Sequence, residues 1–190
     1  MLISRYIERG EYEKAQSLID TLPKVPVDKL QKQAQLYVKQ EKLVEASTLL
    51  EGKIMSMAGE MQSILMFMME IALKEDKKDV AQYLAETSAH TAKLYDLWGY
   101  NAYMAHFQLA VLQEDVDQGI KYLELILAAA KLGWNISNSM LYQHTKLKNE
   151  EESFAGHMIN GLLTGIQNDD SCVFLKTDSR FLEIVSEYNN

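Results

Sequence analysis

Apolar positions recur at helical spacing along nearly the whole chain. The first clear stripe is Ala15, Leu18, Ile19 and Leu22, closed by Pro23 and Pro26, which cannot continue a helix. Asp28 is placed to cap a second segment, residues 29–39, with Leu30, Ala34, Tyr37 and Val38 on one face. Residues 43–57 follow, with Ala46, Leu49, Leu50 and Ile54 directed inward, and Gly59 is expected to break the helix there. A thickly apolar segment, 61–74, then directs Ile64, Leu65, Met68, Met69 and Ala72 inside. Beyond the polar run EDKKD, the positions Val80, Ala81, Leu84, Ala85 and Leu94 carry the pattern as far as Trp98. Gly99 separates it from residues 100–113, where Tyr103, Phe107, Ala110 and Val111 face the core. An acidic EDVD turn leads to Gly119, Tyr122, Leu123, Ile126 and Leu127, ended by Gly133. Residues 134–148 are less regular. The carboxylates after Asn149 favour the start of a helix carrying Phe154, Met158, Leu162, Leu163 and Ile166, and a last short helix presents Phe181, Leu182 and Val185.

These segments pair into hairpins. In YIERGEYEKA, Tyr6 to Ala15, one helix ends on Tyr6, Gly10 supplies a left-handed turn, and Tyr12 with small Ala15 opens the next helix against the first. Looser copies occur at 37–46, 72–81 and 110–119, and the small residues Ala15, Ala46, Ala81 and Gly119 are separated by 31, 35 and 38 residues. YIERGEYEKAQSLI resembles the second half of a tetratricopeptide repeat, whose period is about 34 residues, and LYVKQEKLVEASTLL resembles a degenerate second copy. The family's helix-A Trp and Leu-Gly are poorly kept: Tyr103 stands at the Trp-like place, and His106 and Phe107 stand where Leu and Gly are preferred. The resemblance covers roughly the first 132 residues. It implies an all-α, right-handed α-solenoid of about five hairpins in one domain, with residues 179–188 as a capping helix.

The stretch from Met140, MLYQHTKLKNEEESFAGHMINGLL followed by FLKTDSRFLEIVSEY, is similar to the end of the tetratricopeptide-like part of XRE-type helix-turn-helix regulators. That resemblance implies a sensor or oligomerisation module belonging to a transcriptional regulator. In that family a DNA-binding bundle precedes the repeats, so the resemblance implies that it lies before Met1 or has been lost.

Composition narrows the function by exclusion. A net charge of −8 offers no basic stripe for a polyphosphate, so direct nucleic-acid contact by this chain is not expected. The most apolar run, 61–73, is too short to span a bilayer and contains Glu70. With one cysteine and no secretory leader pattern, the expected location is cytoplasmic. His90, His106, His144 and His157 show no ligand spacing, Cys172 is far in sequence from any histidine, and Asp169 with Asp170 lack the further oxygens of a calcium loop. No phosphate loop, nucleophile elbow or dinucleotide fingerprint is present, so a non-catalytic chain without cofactor or metal is expected.

The expected activity is protein or peptide binding. Met55, Met57, Met61, Met66, Met68 and Met69 read as core filling, against an adaptable apolar groove. Tyr95, Trp98, Tyr100 and Tyr103 read equally as packing between repeats or as an exposed anchor patch. The repeat register places Gln31, Gln35, Lys39, Met66, Glu70, Lys74, Asn101, Met104 and Gln108 on the concave faces of successive first helices, where tetratricopeptide modules hold ligands. The rival expectation is a self-association scaffold, with the aromatic and Met-rich surfaces pairing two chains into a homodimer.

Overall fold

The computed structural model describes residues 29–146 and 152–188, with a few isolated positions between Arg5 and Ser17. Gly10, Tyr12 and Ala15, on which the first hairpin rests, lie outside the described residues. The molecule is all-α. The helices described in full are α1 (Lys29–Lys39), α2 (Leu43–Lys74), α3 (Lys78–Leu94), α4 (Asn101–Leu112), α5 (Val116–Lys131), α6 (Glu152–Asn168), α7 (Val173–Lys176) and α8 (Ser179–Tyr188).

One turn design recurs. Glu41, Asp76, Asp96 and Glu114 hold positive φ of 60°, 58°, 46° and 54°. At each, the next residue's amide donates back five positions, as from Lys42 to Tyr37, Lys77 to Ala72, Leu97 to Ala92 and Asp115 to Ala110. This is the glycine-type helix stop built from acidic residues. Glu11 donates to Tyr6 with the same spacing. After Glu41, Asp76 and Glu114 a single non-helical residue starts the next helix, and five positions past each stop sits a buried small residue: Ala46, Ala81 or Gly119. Close helix approach therefore follows the turn by a fixed interval. Gly119 meets α7, because a Cβ there would stand 2.8 Å from Leu175 Cδ2.

The expected break at Gly59 does not occur, and α2 runs unbroken for 32 residues, roughly 48 Å. A lone exposed glycine costs a helix only about 1 kcal/mol. Burial of Ala58 against the body and the bonds of Gln62 Nε2 to Ser88 O (3.1 Å) and Asn101 O (3.4 Å) outweigh it. Two segments expected to fold back on each other are thus one rod. The short α1 lies along its N-terminal half; α3 returns along its C-terminal half.

Two cores result. Met69 and Ala72 of α2 meet Ala81, Leu84 and Ala85 of α3 and Ala105 and Leu109 of α4. The larger core surrounds α5, where Leu123, Ile126 and Leu127 meet Phe107 of α4, Leu163 of α6, Leu175 of α7 and Phe181 of α8. The last helix does cover this end, but Ile184 rather than Leu182 is buried beside Phe181, and Leu182 faces out. Arg180, in α8, pairs with Asp178 and with Asp117 in the first turn of α5, each at 2.9 Å.

Candidate functional site

The predicted row of binding residues is split between elements. Gln31, Gln35 and Lys39 lie exposed on one face of α1, beside the N-terminal half of the rod. On the C-terminal half, Met66 packs against the smaller core, and Glu70 accepts from Lys74 at 2.6 Å, an exposed pair of little energetic weight. Asn101 is half-buried and its amide donates to Trp98 O at 3.0 Å, closing the turn that starts α4. Met104 packs on the larger core, and Gln108 is exposed. The structure brings Met66 to α4 through Ala105 and Leu109; the α1 row belongs to the other end of α2.

A different surface stands out on the opposite face of α2. Of the six methionines read as core, Met69 is fully buried, while Met57, Met61 and Met68 are exposed. Ile64 and Met68, expected inside, face outward, with Phe67 66% and Ile71 56% exposed beside them. The stripe continues on α3. Thr91 Oγ1 sits 4.0 Å from Met61 Sδ, and at helical spacing from Thr91 the exposed Leu94, Tyr83 and Val80 share its face. Scattered apolar side chains on a surface are ordinary; an apolar patch spread over two neighbouring helices is the kind of surface that interaction sites use. The sequence signal for it was the seven-residue recurrence of Leu43, Leu50, Met57, Ile64 and Ile71, hidden by the assumed break at Gly59.

The aromatic junction is packing. Trp98 is buried, lies edge-on to Tyr100 at 5.2 Å and donates from Nε1 to Ala129 O at 3.3 Å.

The strongest polar constellation was not visible in the sequence, because its members lie 93 and 94 residues apart. The segment after α5 crosses back over the molecule. Trp134 Nε1 donates to Asp96 O at 2.9 Å, Ser139 Oγ to Asp96 Oδ2 at 2.7 Å and Tyr142 OH to Tyr95 O at 2.7 Å. The segment ends on Glu51 in α2. That buried carboxylate accepts from His144 N (3.0 Å), His144 Nδ1 (2.7 Å), Thr145 N (2.8 Å) and Thr145 Oγ1 (2.8 Å). Burial pushes its pKa up, and the His144 and Thr145 donors together outweigh this, leaving it below the ordinary value. In a nucleophile relay the imidazole stands between acid and hydroxyl. Here Glu51 is the hub, so His144 and Thr145 both donate to it and neither activates the other. The arrangement is a clasp.

Other reactive groups are muted. Cys172 is buried, and burial raises its thiol pKa, which disfavours the thiolate. His106 is stacked on Tyr122 with ring centres 4.8 Å apart, and burial lowers its pKa. No cluster of three metal-ligating side chains occurs among the described residues, and no described helix is long and apolar enough to cross a membrane. A shallow cleft between α5, α6 and α8 is lined by Lys131, Asn160 and Tyr188, but Lys131 is engaged there with Glu187 at 3.2 Å and with the Tyr188 ring. Compared with known proteins, the chain matches no protein-family model, no curated protein and no solved structure.

Proposed function

We propose that this chain is a non-catalytic protein-binding module of tetratricopeptide-like helical hairpins, and that it serves as the regulatory or sensor part of a transcriptional regulator. The binding part of this reading is carried by the contiguous apolar face of α2 and α3, from Met57 to Ile71 and from Val80 to Leu94. A helix or second protein surface laid there would bury side chains that otherwise remain in water, at about 25 cal/mol per Å² of apolar area. The repeated acidic stops followed by small residues support the hairpin reading. Continuity of α2 modifies it, since the hairpins before and after Gly59 cannot stack as ordinary neighbours. The regulatory part rests on the C-terminal resemblance, and a helix-turn-helix encoded upstream of Met1 would support it. In that case DNA is read outside these residues.

Photo-crosslinking in the source cell tests the binding reading, with a photoreactive phenylalanine analogue replacing Phe67 in one variant and Gln108 in another. A polypeptide adduct at Phe67 is expected. Adducts at Gln108 alone would move the surface to the row on α4, and adducts at neither position would reject a binding module.

A further inference from the structure

We propose that the exposed face of α2 pairs antiparallel with α2 of a second copy of this chain. The inference rests on the binding reading above and names its occupant. Leu43, Leu50, Met57, Ile64 and Ile71 recur every seven residues, and Ile54, Met61 and Met68 fall four after three of them. That 3–4 alternation is the seam of a two-stranded coiled coil. It borders the face carrying Ala58, Gln62, Met69 and Ala72, which is already used by the body, and at Met61 it touches Thr91 of α3. The rod therefore carries two apolar faces, one of them turned to water. Its seam positions at Leu43, Met57, Ile64 and Ile71 are each more than half exposed.

Self-pairing is favoured by the seam's own symmetry. With a two-fold axis between Met55 and Ser56, Ile54 meets Met57 of the other copy, Leu50 meets Met61 and Leu43 meets Met68. Ser47 against Ile64 is the weak layer. In this register Lys53 of each copy falls within about one turn of Glu60 of the other, so opposite charges flank the seam twice. Packing sets the direction. Helices α3 to α5 are built on the C-terminal half of the rod, and an antiparallel pair places the two bodies at opposite ends, whereas a parallel pair would force them together. Phe67 and Ile71 then reach the N-terminal end of the partner rod, where the partner's α1 also lies.

Sedimentation of the full chain at micromolar concentration should give a dimer. Met57→Lys lies at an exposed seam position and should convert it to a monomer with an unchanged circular dichroism spectrum. Lys53→Glu should weaken the dimer, and adding Glu60→Lys should restore it. Direction is read with buried Cys172 replaced by Ser: Leu50→Cys mixed with Met61→Cys should form a disulfide-linked dimer, and neither should link to itself. A wild-type monomer overturns self-pairing even where Phe67 crosslinks to another protein, an outcome that leaves the binding reading standing. A monomer whose Ile64→Cys thiol resists labelling also overturns it, by giving the face to this chain's residues 1–28. So does a dimer indifferent to Met57→Lys, or one in which Leu50→Cys links to its own copy.

Discussion

Glu51 shows most directly how a single side chain organises a distant segment. A buried carboxylate is costly unless donors surround it, and this one has two backbone amides, an imidazole and a hydroxyl. Because an ionised carboxylate only accepts, His144 Nδ1 must carry the proton. Glu51→Gln keeps the size but replaces one acceptor oxygen by a donor that faces donors. Its cost is expected to be about 1 to 3 kcal/mol in chemical denaturation. The folded pKa lies below the ordinary value of a glutamate carboxyl. The clasp's contribution is therefore present above that value and is lost as pH falls through the folded pKa. Wild type should lose stability over that acid range by more than Glu51→Gln does, and parallel curves would refute the role given to the carboxylate. None of this was legible from the residues: a Glu in a helix and a His–Thr pair in an irregular stretch carry no mutual signal.

At the level of elements, the helices were legible because their periodicity is long and their stops are local. The bounds of α1 were expected residue for residue, and α3, α4, α5 and α8 were expected within a few positions. The error at Gly59 came from treating glycine as a stop on its own. Gly133, with φ 70°, does end α5 as expected, but four other stops, Glu41, Asp76, Asp96 and Glu114, adopt left-handed φ without a glycine. Side-chain crowding in that region costs an L-residue roughly 1 to 2 kcal/mol, partly offset by glycine's greater freedom in the unfolded chain. Glu114→Gly is therefore expected to stabilise the protein by about 0.5 to 1 kcal/mol, seen as a higher melting temperature. A lower melting temperature would mean that the carboxylate contributes something the backbone strain does not explain. The same error hid the apolar face, since its seven-residue recurrence appears only when the segments on either side of Gly59 are read as one helix.

For the whole molecule, the hairpins are local and the clasp is not. Each acidic stop closes a turn of five residues, whereas Glu51 and His144 are 93 apart in sequence. By loop-closure entropy alone the longer closure costs about 2.5 kcal/mol more. The large core around α5 can assemble from neighbours in the chain, but the crossing segment can be fastened only after α2, α3 and the end of α5 stand in place. Time therefore enters the design: the expected order is hairpins first and the latch afterwards. A latch absent from the folding transition state governs escape from the native state rather than arrival in it. In stopped-flow chevrons Glu51→Gln should accelerate unfolding by about tenfold for each 1.4 kcal/mol it costs, with the refolding limb unmoved; slowed refolding would place the latch among the first contacts made. The segment that looks least regular in the sequence is thus the one expected to set how long the native molecule lasts.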